Sequence, residues 1–252
     1  MSAGFEGRAF LVTGASSGIG RVVAIGLSRR GARVALTGRN QEGLAATLAH
    51  MEGEGHITLA ADLCNLDGLA GLVEKALAWR EPLDGLAYCA GLAGRSRLRD
   101  TAPRMLIDRM TVNCFAFVEL LRQIVRRKKK AQPLAVVAIS SLAALGHDRY
   151  LSAYAASKAA LEAAAKSLAV ELLPRHVRIN LVRCAFVDTP MATGGDAYGD
   201  FEAQLKESGY QPLGLIPPAV VADAVALLLG PEGAWSTGQI TTINAGAPAG
   251  QE

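Results

Sequence analysis

The sequence predicts an α/β fold: one doubly wound parallel sheet of about seven strands with helices on both faces, forming a single domain over residues 1–252. Three observations carry this reading. Apolar runs of strand length alternate with stretches of helical periodicity along nearly the whole chain. The strand runs are continuously apolar rather than alternating, as in sheets covered on both faces. No linker, internal repeat or low-complexity segment divides the chain, and 252 residues at 50% hydrophobic content can bury a large core.

Taken in order, RAFLVTG (8–14) reads as a strand, SGIGRVVAIGLSRRG as a helix and ARVALTG as the second strand. QEGLAATLAHMEGEG is helical, HITLAAD a strand, NLDGLAGLVEKALAWRE a helix and DGLAYCAG the fourth strand. VNCFAFVELLRQIVRRKKK is an apolar helical pattern, LAVVAIS the fifth strand, and an Ala-rich helix runs from about Ala153 to Leu173. VRINLVRC is a strand, Pro218 to Leu229 a helix, and QITTINAG the closing strand. Residues 189–217 break the rhythm: the stretch is long, Gly-rich and weakly periodic, which in a compact domain marks a functional lid or substrate loop.

Composition narrows the function class. The net charge is only +3, and no aromatic-interleaved basic stripe is present, so nucleic acid is not an expected partner. The cationic run Arg126 to Lys130 closes a helical pattern, where it complements the helix C-terminus and reads as a solvated end. MSAGFEGRAFLVTG lacks the apolar core of a signal peptide, and no stretch of about 20 uncharged apolar residues could span a bilayer. A cytoplasmic protein without a membrane partner is expected. Cys64, Cys89, Cys114 and Cys184 form neither a CxxC pair nor a metal-spaced set, so reduced buried thiols and no metal site are expected.

The first strand runs into TGASSGIG, with glycines at Gly14, Gly18 and Gly20 at a strand-to-helix junction. Glycine allows the tight turn and lets a pyrophosphate reach the backbone, and the helix start offers free N–H groups to it. The expected cofactor contacts there are Gly14, Ser16, Ser17, Gly18, Ile19 and Gly20. After the second strand, where an acid would select NAD, the chain has Arg39, which favours the 2′-phosphate of NADP(H). After the third, Asp62 either accepts from the adenine amino group, with Leu63 beside it, or serves as a helix N-cap near Asn65.

In YAASK, Tyr154 and Lys158 stand at i and i+4 on the Ala-rich helix. Alone, such a pair is an ordinary helix contact. Together with TGASSGIG, a serine-ended strand before it and VRIN…DTPM after it, the chain resembles the short-chain dehydrogenase/reductase family from about Arg8 to Ala247. The resemblance implies a Rossmann-type fold and hydride transfer between a nicotinamide and a small carbonyl or secondary alcohol. It implies a catalytic set of Ser141, Tyr154, Lys158 and Asn113, with Tyr154 as general acid/base. Ser140 is the less favoured serine. Lys158 is expected to lower the Tyr154 pKa and to bind the nicotinamide ribose, Ser141 to donate to the substrate oxygen, and Asn113 to hold a water. Ala90, Gly91, Val187 and Thr189 complete the implied cofactor contacts.

The chain departs from the family pattern at two places. Cys89 stands where asparagine is usual, and Cys184-Ala185 where Pro-Gly is usual. These leave open a second reading, a catalytically impaired dinucleotide-binding regulator or scaffold. Substrate walls are expected from the loop after Gly91, from Leu142 to Leu151 and from the 189–217 lid. Arg95, Arg97, Arg99, His147 and Arg149 could hold an anionic substrate or be exposed loop charges. Because the family is commonly tetrameric, a homotetramer or homodimer is expected, packed through the Ala-rich helix and the helix ending at Lys130.

Overall fold

The computed structural model describes residues 4–146, 148–193 and 201–248. Seven strands form one sheet: β1 Ala9–Thr13, β2 Arg33–Gly38, β3 Ile57–Ala60, β4 Gly85–Tyr88, β5 Leu134–Ser141, β6 Val177–Cys184 and β7 Ile240–Ile243. Their order is β3-β2-β1-β4-β5-β6-β7, and every neighbouring pair is parallel. This is the doubly wound arrangement read from the sequence. The order reverses between β1 and β4, where the chain leaves in opposite directions and a crevice opens at the carboxyl ends of the strands.

The helices are α1 Gly18–Ser28, α2 Gln41–Leu48, α3 Leu69–Trp79, α4 Pro103–Met110, α5 Ala116–Arg127, α6 Ser152–Leu172, α7 Pro190–Thr193, α8 Phe201–Glu207 and α9 Pro218–Leu229. Side chains of α1 and α9, including Val23, Leu27, Val225 and Leu229, pack on one face of the sheet. Those of α3, α5 and α6, including Leu72, Phe117, Leu121 and Leu161, pack on the other. Both faces of β1 and β4 are therefore dry, which is why their sequences carry no polar alternation. On α6 the buried stripe Leu161, Ala165, Ala169 and Leu172 follows helical spacing, so small residues bring its backbone close to the sheet.

Four elements differ from the sequence reading. Residues 92–111 carry no clear period, yet α4 forms there, started by Pro103 at its first turn. It continues through a π turn, Thr111–Phe115, into α5. The cationic run is not all solvated: α5 stops at Arg127 and Lys128 turns inward, 7% exposed, its ammonium donating to the carbonyls of Lys129, Lys130 and Arg175 at 3.0, 3.4 and 2.9 Å. The segment 189–217 contains α7 and α8, while its residues 194–200 lie outside the described ones. It returns to the sheet through a parallel bridge between Val187 and Ile216.

Tyr88 links the fold to the crevice. It is fully buried at the end of β4, stacks edge-on against Phe117 at 5.4 Å, and donates its hydroxyl to the Val112 carbonyl in the π turn. Tyr88→Phe keeps the ring and orphans that carbonyl, so a stability loss of about 1–2 kcal/mol is expected in urea denaturation. An unchanged unfolding free energy would show that the π turn does not depend on this bond.

Candidate active site

The crevice is a cavity of about 770 Å³ running along the carboxyl ends of the strands. Of the site residues expected from the sequence, all but Asn113 line it.

The first wall is the β1–α1 turn. Gly14 has φ +66, and a Cβ there would stand 2.9 Å from Ala90 Cα on the other rim. A Cβ on Gly20 would fall 2.3 Å from the Gly14 carbonyl oxygen, so only glycine lets the helix start this close to the strand. Ser17 is the N-cap of α1, but its hydroxyl makes no capping bond. The first N–H groups of α1 have no intrahelical acceptor. A bare backbone cradle with free donors and an unspent hydroxyl, at the start of an eleven-residue helix, fits the diphosphate of a dinucleotide.

At the adenosine end, Arg39 is exposed on the cavity and makes no hydrogen bond or ion pair with a described residue. Ser16 Oγ lies at the end of β2, 3.3 Å from where a Gly38 Cβ would stand. Asp62 Oδ1 accepts from Cys64 N at 3.0 Å. The cap of the following 3-10 turn is Asn65, which accepts from Gly68 N at 3.2 Å, so capping does not explain Asp62.

At the other end, two elements, β5 and α6, bring Ser141, Tyr154 and Lys158 together. Ser141 ends β5, and its oxygen accepts from Ala143 N at 3.2 Å, leaving its proton to be donated. Ser140 points elsewhere: its hydroxyl donates to Glu162 Oε1 at 2.7 Å. Lys158 is 3% exposed, and its ammonium donates to the Ile139 carbonyl at 2.8 Å. The ammonium lies 5.9 Å from the centre of the Tyr154 ring. Asn113 sits in the π turn behind this group. Its Oδ1 accepts from Leu92 N at 2.7 Å, while its amide donates to Leu92 O at 3.0 Å and to Ser157 Oγ at 2.8 Å. Both amide hydrogens are thus spent on the protein, and the side chain builds the wall rather than offering a donor to water. A Cβ on Gly91 would lie 3.4 Å from Asn113 Oδ1 and 3.5 Å from Lys158 Nζ, so bare backbone there lets the two residues meet.

A sequence profile described as Enoyl-(Acyl carrier protein) reductase matches residues 14–248. The 3-oxoacyl-[acyl-carrier-protein] reductase FabG of Escherichia coli (strain K12) is 30% identical over 245 residues, 96% of this chain and 98% of that protein. The chain belongs to the short-chain dehydrogenase/reductase family. Within this family of oxidoreductases, a solved dehydrogenase/reductase from Sinorhizobium meliloti 1021 superposes with a TM-score of 0.87 at 31% identity, covering 99% of this chain and 98% of that one. A short chain dehydrogenase from Burkholderia cenocepacia J2315 in complex with NADP gives 0.86 at 29% identity, covering 96% and 98%.

Both departures from the family pattern, at Cys89 and Cys184, interact electrostatically with Lys158. Cys89 and Cys184 both line the cavity, and burial pushes each thiol up to about 12, so both stay protonated. Burial also lowers Lys158 to about 8. The expectation that Lys158 pulls Tyr154 toward the phenolate is not met in this structure. Burial dominates and raises the phenol to about 12, against a smaller opposite effect of Ser141.

The mouth also differs from expectation. Of the basic loop only Arg95 lines the cavity, facing Asp148 and Tyr210. Arg97, Arg99 and Arg149 are exposed away from it, with Arg99 3.8 Å from Asp100. His147 lies outside the described residues. One supporting residue had no sequence signal: Gln211, fully buried, accepts from Phe186 N at 3.0 Å and donates to Phe186 O at 2.9 Å and Gly214 O at 2.7 Å, anchoring the 189–217 segment.

The buried lysine yields a stability test. Its folded pKa of about 8 lies below the ordinary 10.5, so the charge works against folding at pH 7. That penalty fades as pH rises from about 8 to 10.5, where the unfolded chain binds the extra proton. Lys158→Met is expected to be more stable than wild type at pH 7 by about 2–3 kcal/mol, with the gap closing toward alkaline pH. Thermal melts showing equal stability at pH 7, or a gap that widens with pH, would refute it.

Proposed function

We propose that this chain is an NADP(H)-preferring carbonyl reductase or alcohol dehydrogenase, with Tyr154 as general acid/base. The observation that carries the reading is the convergence of Ser141, Tyr154 and Lys158 on one end of the cavity whose other end is the glycine turn. When bound, the reduced nicotinamide supplies a hydride to the carbonyl carbon. Tyr154 donates its proton to the carbonyl oxygen, and a phenol held protonated by burial suits that direction. Ser141 donates a hydrogen bond to the same oxygen as negative charge builds on it. Lys158 binds the ribose hydroxyls and stabilises the phenolate left behind. Asn113 holds the wall that keeps Lys158 in place. Gly91, Val187 and Thr189 line the nicotinamide end.

The preference for NADP(H) is supported by Arg39, which has no hydrogen bond or ion pair among the described residues, with Ser16 near the preceding Gly38 and no acid at that position. The NADP-bound Burkholderia neighbour is in keeping with it. For the substrate we favour a small carbonyl with an apolar body, since Leu92, Leu142, Leu151, Phe186 and Met191 line the space beyond Tyr154. Arg95 and Asp148 give the mouth both signs of charge, which does not select for an anion alone. No helix of the described residues is long and apolar enough to cross a membrane. Assembly as a homotetramer or homodimer is supported by apolar side chains left exposed at Phe115 before α5 and at Val170 and Leu173 on and beside α6.

The test is a panel of carbonyls with NADPH and NADH. Wild type is expected to favour NADPH, and Tyr154→Phe to lose activity by about 10²-fold or more. Arg39→Ala is expected to raise the KM for NADPH about 10- to 100-fold while leaving NADH nearly unaffected. Equal turnover by Tyr154→Phe defeats the assigned chemistry, and a wild-type preference for NADH defeats the role of Arg39.

A further inference from the structure

Directly behind Ser141, Tyr154 and Lys158 lies a second polar cluster, enclosed by the protein. Glu162 stands one helical turn after Lys158 on α6. Its Oε1 accepts from Ser140 Oγ at 2.7 Å and from Arg183 Nε at 2.9 Å, and its Oε2 accepts from Arg183 Nη2 at 2.7 Å. Ser140, Glu162 and Arg183 are 2%, 8% and 9% exposed, so the ion pair is withdrawn from water. Ser140 and Arg183 are register partners on β5 and β6, and the next pair along the ladder is Ser141 and Cys184, which line the cavity. Ser140 also follows Ile139, whose carbonyl accepts from the Lys158 ammonium.

Burying an Arg–Glu pair forfeits hydration that an apolar pair of the same size would not lose, so stability alone gives little reason for it. A forked two-bond contact does fix direction. We propose that Glu162 is a positioning residue for the reaction: gripped by Ser140 and Arg183, it locks α6 to the β5–β6 edge and so holds Lys158 and Tyr154 in register with Ser141. The inference rests on the proposed roles of those three residues.

The cluster also sets the charge around Lys158. That ammonium is faced by Tyr154 and Glu162 from α6, by Cys184 from β6, by Cys89 just past β4 and by the Ile139 carbonyl from β5, with the Asn113 amide oxygen on the other side of the Gly91 backbone position. The thiols and the phenol are protonated at neutral pH, which leaves Glu162 as the carboxylate among these groups. It opposes the burial that lowers the lysine's affinity for its proton.

Two variants test this. Glu162→Gln removes the charge that Arg183 pairs with, so it can fail to fold; Glu162→Leu with Arg183→Met replaces the whole pair by apolar residues. The titration of Lys158 is followed by NMR on 13C-labelled lysine, which needs no substrate, and kcat and KM are measured across pH. In the folded double variant the Lys158 midpoint is expected to fall by about half a pH unit or more, with the alkaline limb of the rate profile moving the same way. Its kcat is expected to fall about 10- to 100-fold with substrate KM nearly constant. An unmoved lysine midpoint, or a kcat within about twofold of wild type, overturns the proposal. A wild type inert toward every carbonyl would instead defeat the reading of the reaction, and the lysine titration would still decide the clamp.

Discussion

One oxygen holds the two rims of the crevice at a fixed distance. Thr13 Oγ1, at the end of β1, accepts from the backbone amides of both Cys89 and Ala90, each at 3.1 Å, just past the end of β4. The hydroxyl is buried, so these bonds meet no competition from water. They bring Ala90 against Gly14, and from that contact everything else is measured: the start of α1, the bare backbone at Gly91, and the approach of Lys158. A parallel sheet opens a crevice wherever its strand order reverses, but only a short polar bridge of this kind makes the opening narrow and constant.

The chemistry at the far end is governed by dehydration. Tyr154 and Lys158 are both driven toward their neutral forms, and so are Cys89 and Cys184, which interact with the lysine. A site with so little room for ions stores its polarity in oriented bonds instead. Lysine to strand carbonyl, asparagine to loop backbone and glutamate to arginine are all made within the protein. The arrangement is preorganised: these bonds hold the polar groups of the far end in fixed orientations within the protein.

Much of this was legible in the sequence, and the reasons differ from element to element. The central strands announce themselves because both faces of the sheet are covered there: β1, β4 and most of β5 are plain apolar runs, while β3 and β7 at the edges are partly exposed. The glycine turn and the Tyr154–Lys158 spacing are legible because backbone contact and helical phase impose strict residue types and intervals. α4 was not, since PRMLIDRM mixes charge with few apolar positions and is held by its proline start and the π turn after it. The inward turn of Lys128 was hidden inside a basic run, where nothing in the composition separates one cation from the next. Glu162 lies at i+4 from Lys158, a relation the sequence does show, but its partners Ser140 and Arg183 are brought to it only by the β5–β6 register. The sign of the Tyr154 shift is not legible, because spacing reports the neighbouring ammonium and says nothing of how dry the pocket is.

The Val187–Ile216 bridge has a consequence for how such a protein can diversify. It brings the two ends of the 189–217 excursion together, and Gln211 ties the returning strand to Phe186 independently of what comes between. Because the entry and exit points are already pinned, lengthening the span costs little additional closure entropy. Of the described residues within 190–210, Pro190, Met191, Ala192 and Tyr210 line the cavity. Exchanging them would reshape that wall of the cavity while the sheet and the glycine turn remain untouched.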